Sequence, residues 1–95
     1  MAAPTTDQYT DFVEDVGLVM EQRGLPRIAG RIFALLLVTP GELSLDDIAQ
    51  RLSVSRASVS TDARQLQRLG MLERASRPGD RRDRRRVRLR RPNRP

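Results

Sequence analysis

The sequence predicts a mainly α-helical domain with a small β-hairpin, and three observations carry that expectation. Apolar residues recur at helical spacing from Tyr9 to Leu69, in stretches punctuated by Gly and Pro. After Gly70 the period changes to alternation, as in a half-buried strand. Of about 36 apolar residues, only Ala75, Val87 and Leu89 lie beyond Arg74. The core is therefore built before about residue 73, and a basic appendage follows.

Thr5 and Gln8 have the spacing of a capping box, with Asp7 in the first turn where the helix dipole favours a carboxylate. Tyr9, Phe12, Val13, Val16 and Met20 then form one apolar stripe of a helix that ends near Arg23-Gly24. Pro26 stands where a first-turn proline belongs, and Ile28, Ala29, Ile32, Phe33, Leu36 and Leu37 predict a second, more deeply buried helix. Gly30 within it predicts a close helix contact. Thr39-Pro40-Gly41 stops this helix, and a short extended piece runs from Glu42 to Ser44.

Ser44-Leu45-Asp46-Asp47 starts a third helix, with Leu45, Ile48, Ala49 and Leu52 on one face. Ser53-Val54-Ser55 makes a tight turn. Ser55 caps a fourth helix through Leu69, whose buried stripe is Val59, Ala63, Leu66 and Leu69 and whose terminator is Gly70. Two helices joined by a three-residue turn have helix-turn-helix spacing. Met71 to Ala75 reads as a strand, and Arg77-Pro78-Gly79-Asp80 has Pro and Gly at the centre of a type II turn. Val87 and Leu89 alternate with Arg86, Arg88 and Arg90 as a return strand. The expected organisation is one winged helix-turn-helix domain over 1–90, with an N-terminal helix in 1–24, the helix-turn-helix in 44–70 and an arginine-loaded wing in 71–90. A basic tail occupies 91–95.

Charge is polarised along the chain. Residues 1–22 carry a net −5, residues 23–73 a net +2 and residues 74–95 a net +9. All 18 basic residues are Arg; Lys, His and Cys are absent. Thiol and imidazole catalysis, disulfides and the usual zinc sites are thereby excluded. The only adjacent acids, Glu14-Asp15 and Asp46-Asp47, read as a solvated face and as partners of a helix dipole. No Gly-rich phosphate loop exists, so no enzyme, catalytic residue, cofactor or metal ligand is expected. The longest apolar run, Ile32 to Val38, is too short to span a bilayer, and no secretory signal opens the chain. A cytoplasmic chain without membrane contact is expected, and its basic end points to a polyanion.

The fourth helix is the candidate reader. Off its buried stripe lie Arg56, Ser58, Ser60, Thr61, Arg64, Gln65 and Arg68, with no outward acid until Asp62. Short hydroxyls let a backbone approach a major groove, and Arg bonds guanine O6 and N7 as a fork. Ser44 or Ser55 and nearby amides suit phosphates. Taken singly, the face equals an ordinary amphipathic surface; the turn, the capped partner helix and the basic hairpin in order favour the reader. Wing residues Arg77, Arg81, Arg82, Arg84, Arg85 and Arg86 are expected along phosphates or in a minor groove, adding affinity more than sequence choice.

The stretch from Leu25 to about Arg82, LPRIAGRIFALLLVTPGELSLDDIAQRLSVSRASVSTDARQLQRLGMLERASRPGDRR, resembles the winged helix-turn-helix of MarR-type bacterial transcriptional regulators. GLPRIAGRI resembles the opening of the GbsR-like branch. LSLDDIAQRLSVSRASVS matches the two helices, LQRLGMLER the exit into the wing and PGDRR its tip. The resemblance implies a dimeric repressor or activator on palindromic double-stranded DNA. It places Ser55, Arg56, Ala57, Ser58, Ser60, Thr61 and Arg64 as groove readers, with Asp80 orienting Arg81 and Arg82. Family members continue past the wing into helices that pair with the N-terminal helix to form the dimer and the effector pocket. This chain reaches Pro95 through seven Arg in residues 84–95 without a helical pattern. It is expected to be a truncated product, or else a natural minimal form. A homodimer would use the N-terminal helix, and a small-molecule effector is not expected.

Two other readings stand beside this one. The Arg-rich tail alone could bind RNA or another polyanion without sequence preference. Alternatively, the chain could be a fragment that only heterodimerises with a full-length relative.

Overall fold

A computed structural model describes residues 6–75 and 85–90. The expected Thr5–Gln8 capping box, the wing turn at 77–80, Arg81, Arg82 and Arg84, and the tail at 91–95 lie outside the described residues. In chain order come α1 (Thr6–Gln22), α2 (Arg27–Val38), β1 (Leu43–Ser44), α3 (Leu45–Leu52), α4 (Arg56–Arg68), β2 (Leu72–Arg74) and β3 (Arg86–Leu89). The strands form one antiparallel sheet in the order β1-β3-β2. The expected hairpin is present and the extended piece before α3 joins it as a third strand, because Leu43 pairs with Val87 and both side chains are buried. Leu72 pairs with Leu89 and Arg74 with Val87 on the other side of β3.

Three helices stop by one backbone device. Leu25 donates to the Met20 carbonyl (3.0 Å), Val54 to Ala49 (3.0 Å) and Met71 to Leu66 (2.9 Å), each around a left-handed residue. That residue is Gly24 after α1 and Gly70 after α4, but Ser53 (φ 57°) in the helix-turn-helix turn. Pro26 sits one position earlier than the sequence suggests, as the residue preceding α2 with ψ 143°, and gives no side-chain cap.

The core is continuous across all four helices and the sheet. Ile32, Ile48, Val59, Leu66, Leu72 and Val87 are the largest fully buried side chains, and no polar or charged side chain among the described residues is buried. α2 packs against both α1 and α4. Ala34 and Leu35 are accordingly buried, whereas Leu37, expected inside, is exposed.

The contact of α1 with α2 departs from the apolar stripe. A Cβ on Gly30 would lie 2.8 Å from Gly17 Cα and 3.2 Å from the Val16 carbonyl oxygen. The helices meet backbone to backbone at these glycines, so the buried line on α1 is Val13, Gly17 and Met20. Tyr9 and Phe12, which belong to the expected apolar stripe, are exposed. Glu14 adds a polar clamp, pairing with Arg27 Nη2 (3.1 Å) and Arg31 Nε (2.9 Å). Arg31 Nη2 also donates to the Leu52 carbonyl (3.0 Å), so one guanidinium ties α1, α2 and the end of α3.

On α4, Val59, Ala63 and Leu66 are buried. Asp62, between them in sequence, is half-buried instead of outward, and desolvation raises its carboxyl pKa above the ordinary 3.8.

Two stability predictions follow from this packing. Gly30→Ala forces backbones apart: overpacking costs about 1–3 kcal/mol, offset by up to about 1 kcal/mol of helix propensity. We expect a net loss near 1 kcal/mol, read as a Tm lower by about 4–8 °C. Gly17→Ala should cost less, because its closest neighbour is the flexible Arg31 Cγ at 3.0 Å. A folded-state pKa raised at Asp62 means that its ionisation opposes folding, and this penalty grows as pH rises through the shifted pKa. Asp62→Asn should therefore melt higher than the parent at neutral pH, with the gain vanishing below the ordinary pKa of 3.8. A pH-independent difference in Tm would contradict that assignment.

Candidate nucleic-acid interface

The helix-turn-helix is fixed by two matching caps. Ser44 Oγ accepts from the Asp47 amide (3.0 Å) and opens α3. Ser55 Oγ accepts from the Ser58 amide (3.1 Å) and opens α4, while Ser55 Oγ–H donates to Ser58 Oγ (2.9 Å). Both hydroxyls thus satisfy amides that would otherwise face solvent unpaired. Ser55 and Ser58 are committed to this cap in the unbound chain, although each oxygen keeps a further lone pair.

With Val59, Ala63 and Leu66 inward, the outer line of α4 runs through Ala57, Thr61, Arg64 and Arg68, all exposed. None of these four is acidic. Ser60 is half-buried on the flank nearest the sheet, where Arg64 Nη2 donates to its hydroxyl at 3.5 Å. Arg56 lies apart from the outer line: its Nε pairs with Asp46 Oδ1 at 2.9 Å, joining the first turns of α3 and α4. The structure therefore brings Ser55, Ala57, Thr61, Arg64 and Arg68 onto one exposed surface, puts Ser58 and Ser60 at its margins and holds Arg56 against a carboxylate.

Sequence reasoning named Arg85 and Arg86 as wing residues but passed over Arg74 and Gln67. Arg74 ends β2, Arg85 precedes β3 and Arg86 opens it; all three converge with Ser60, Arg64 and Gln67 of α4 around a cavity of about 260 Å³. Leu45, Ala63 and Val87 line it as well, and none of these described residues is acidic. Arg86 also lies 3.7 Å from Glu42, and Arg88 is paired with Glu73 at 2.7 Å on the other side of the strand. The missed signal was register: Arg74 pairs with Val87, which brings it beside the expected wing residues Arg85 and Arg86, and no periodicity within one segment reveals that.

A second cavity, of about 450 Å³, lies away from this surface among α1, α2 and the end of α3, with Tyr9, Val13, Leu35 and Leu52 in its wall. Among the described residues no three metal-ligating side chains cluster, and no helix is long and apolar enough to cross a membrane.

Comparison with known proteins agrees with this architecture. The chain is 42% identical over 73 residues to the HTH-type transcriptional regulator MmpR5 of Mycobacterium tuberculosis, a match covering 76% of this chain and 44% of that protein. A crystal structure of a transcriptional regulator superposes with a TM-score of 0.79 at 41% identity, covering 86% of this chain and 55% of that one. The chain thus spans about half the length of these relatives. The MarR family model matches residues 23–83, which include α2, the helix-turn-helix and the first wing strand, β2. The chain belongs to the MarR family of winged helix-turn-helix transcriptional regulators.

Proposed function

We propose that the chain binds double-stranded DNA in a sequence-dependent manner, with α4 in the major groove and the wing on the adjoining backbone or minor groove. The observation that carries this is the acid-free outer line Ala57, Thr61, Arg64 and Arg68 on a helix whose opposite side is locked in the core. Ala57 and Thr61 keep the first turns slim enough for close approach. Arg64 and Arg68 supply forked donors for guanine edges or phosphates. Arg56 reaches a base only by leaving Asp46, so in this reading it is a contributor that exchanges one anionic partner for another. Ser55, Ser58 and Ser60 serve the backbone at the groove margin. Arg81, Arg82 and Arg84 complete the wing contact on sequence grounds. The segment Gly24 to Ile32, with Gly30 at its helix contact, supports membership of the GbsR-like branch.

The partner helix surface supports a dimer. Tyr9, Phe12 and Val19 are 37%, 40% and 51% exposed, and with half-buried Val16 they repeat at intervals of three, four and three. That is the seam spacing of paired helices. Two copies joined along α1 would present two reading helices to a two-fold symmetric site.

Two measurements test these assignments. On a duplex selected from random sequence by the parent chain, Arg64→Ala and Arg68→Ala should each weaken binding by about 1–3 kcal/mol. The loss on a scrambled duplex should be clearly smaller; equal losses on both, or RNA competing as well as duplex, would remove sequence reading from α4. In sedimentation, the parent should run as two chains and Phe12→Asp should shift the population toward one chain. A parent that sediments as a single chain at all concentrations would dispose of the α1 dimer.

A further inference from the structure

We propose that the cavity between α4 and the base of the wing is a phosphate seat, taking one backbone phosphodiester of the bound duplex. The inference rests on the DNA-binding reading above and adds a site to it. Among the described residues its polar wall is formed by Ser60, Arg64 and Gln67 on one side and Arg74, Arg85 and Arg86 on the other. Four arginines and two neutral donors line it, and among the described residues the lining holds no carboxylate, so the seat selects an anion. Among the described residues, Arg74 and Arg85 have no ion-pair partner, and both are exposed. Arg86 is offset by Glu42 at 3.7 Å, whereas the like charges of Arg64, Arg74 and Arg85 repel one another in the unbound chain, and an incoming phosphate relieves that repulsion.

Placement identifies which anion. A helix in a major groove and a wing in the adjoining minor groove must straddle the phosphodiester strand that separates the two grooves. That strand crosses the angle between α4 and the wing, and this angle is where the cavity opens. Its floor, Leu45, Ala63 and Val87, is part of the core or borders it, so the donors stand on a rigid base. The seat would fix how far along the duplex α4 sits before any base edge is read. Arg64, hydrogen-bonded to Ser60 on the cavity wall, stands between the seat and the groove.

The test uses the full chain, the duplex it selects from random sequence, and the variants Arg74→Gln and Arg85→Gln, singly and together. Both positions are exposed, so the fold should persist, which a thermal melt checks. The double variant should lose affinity equally on selected and scrambled duplexes. Its slope of log affinity against log salt should be shallower by about 0.9 for the lost phosphate. Arg23→Gln, at the far end of α1, should leave the slope unchanged. Replacing single phosphates in the duplex by neutral methylphosphonates should reveal one position per half-site that weakens the parent but not the double variant. If the parent binds duplex and the double variant keeps its slope and its methylphosphonate pattern, the seat is wrong while the DNA reading stands. A parent that binds no duplex overturns the DNA reading and the seat together. Inorganic phosphate, titrated alone against the arginine Nε–H signals, should give only an unsaturable drift. A saturable shift confined to Arg74 and Arg85 would assign the cavity to a free anion and overturn the phosphodiester.

Discussion

Val59, Ala63 and Leu66 fix the rotation of α4 about its own axis, and the reading face and the cavity beside the wing both depend on that rotation. The three side chains are buried, at most 1% exposed, and α4 packs on α2. A helix turned by a single residue moves its faces by about 100°. That turn would drive Ser60, Arg64 and Gln67 toward the core in place of the apolar line. Burying an uncompensated guanidinium costs several kcal/mol, comparable to the whole stability of a small domain. The apolar line therefore selects one orientation, and the polar line opposite it is exposed as a consequence of core packing.

α4 can be held so only because its neighbours are fixed in turn. α2 offers a flat approach to α1 at Gly30, where no side chain separates the backbones, and it leaves its other side to α4. Arg31 carries the same constraint to the turn: it pairs with Glu14 on α1 and satisfies the terminal Leu52 carbonyl of α3. The turn then reverses through Ser53 in a left-handed conformation, which lets Ser55 cap α4 directly. Surface pairs of this kind are individually weak, about 0–1 kcal/mol. Their effect here is geometric, because each links elements that the core alone would leave free to slide.

Much of this was legible in the sequence for identifiable reasons. Ser44, Ser55 and Gly70 act through local backbone hydrogen bonds, so their roles can be read within four or five residues. The inward lines of α3 and α4 came out correctly because each helix has one buried face, except that Leu69, past the end of α4, is exposed. α1 misled because hydrophobic periodicity assigns no packing value to glycine. Gly17 is a contact position, and recognising it rotates the buried line away from Tyr9 and Phe12. α2 misled because two neighbours cover it, which blurs a single stripe. Arg56 looked like an outward reader until the third helix brought Asp46 beside it. The cluster of Arg64, Arg74, Arg85 and Arg86 depends on strand register and on the angle between helix and sheet, neither of which any single segment encodes.

The arrangement of charge bears on how affinity and selectivity would divide. α1 is acidic and lies on the other side of α2 from α4, so its carboxylates do not interrupt the arginine-rich surface. Long-range attraction would orient the chain toward a polyanion before contact, and this part of the affinity is screened by salt. Sequence choice needs a different kind of contact, one that is lost completely when a base edge is wrong. Such contacts must be few, rigidly held and close to the bases, which describes the slim first turns of α4 more nearly than the wing. Arg64 belongs to both regimes. Anchored on Ser60 beside the cavity, it can answer a phosphate or a base but not both fully. The exact seating of one phosphate would thus decide what remains of that side chain for reading, and contacts that only position the duplex would still influence which sequence is preferred.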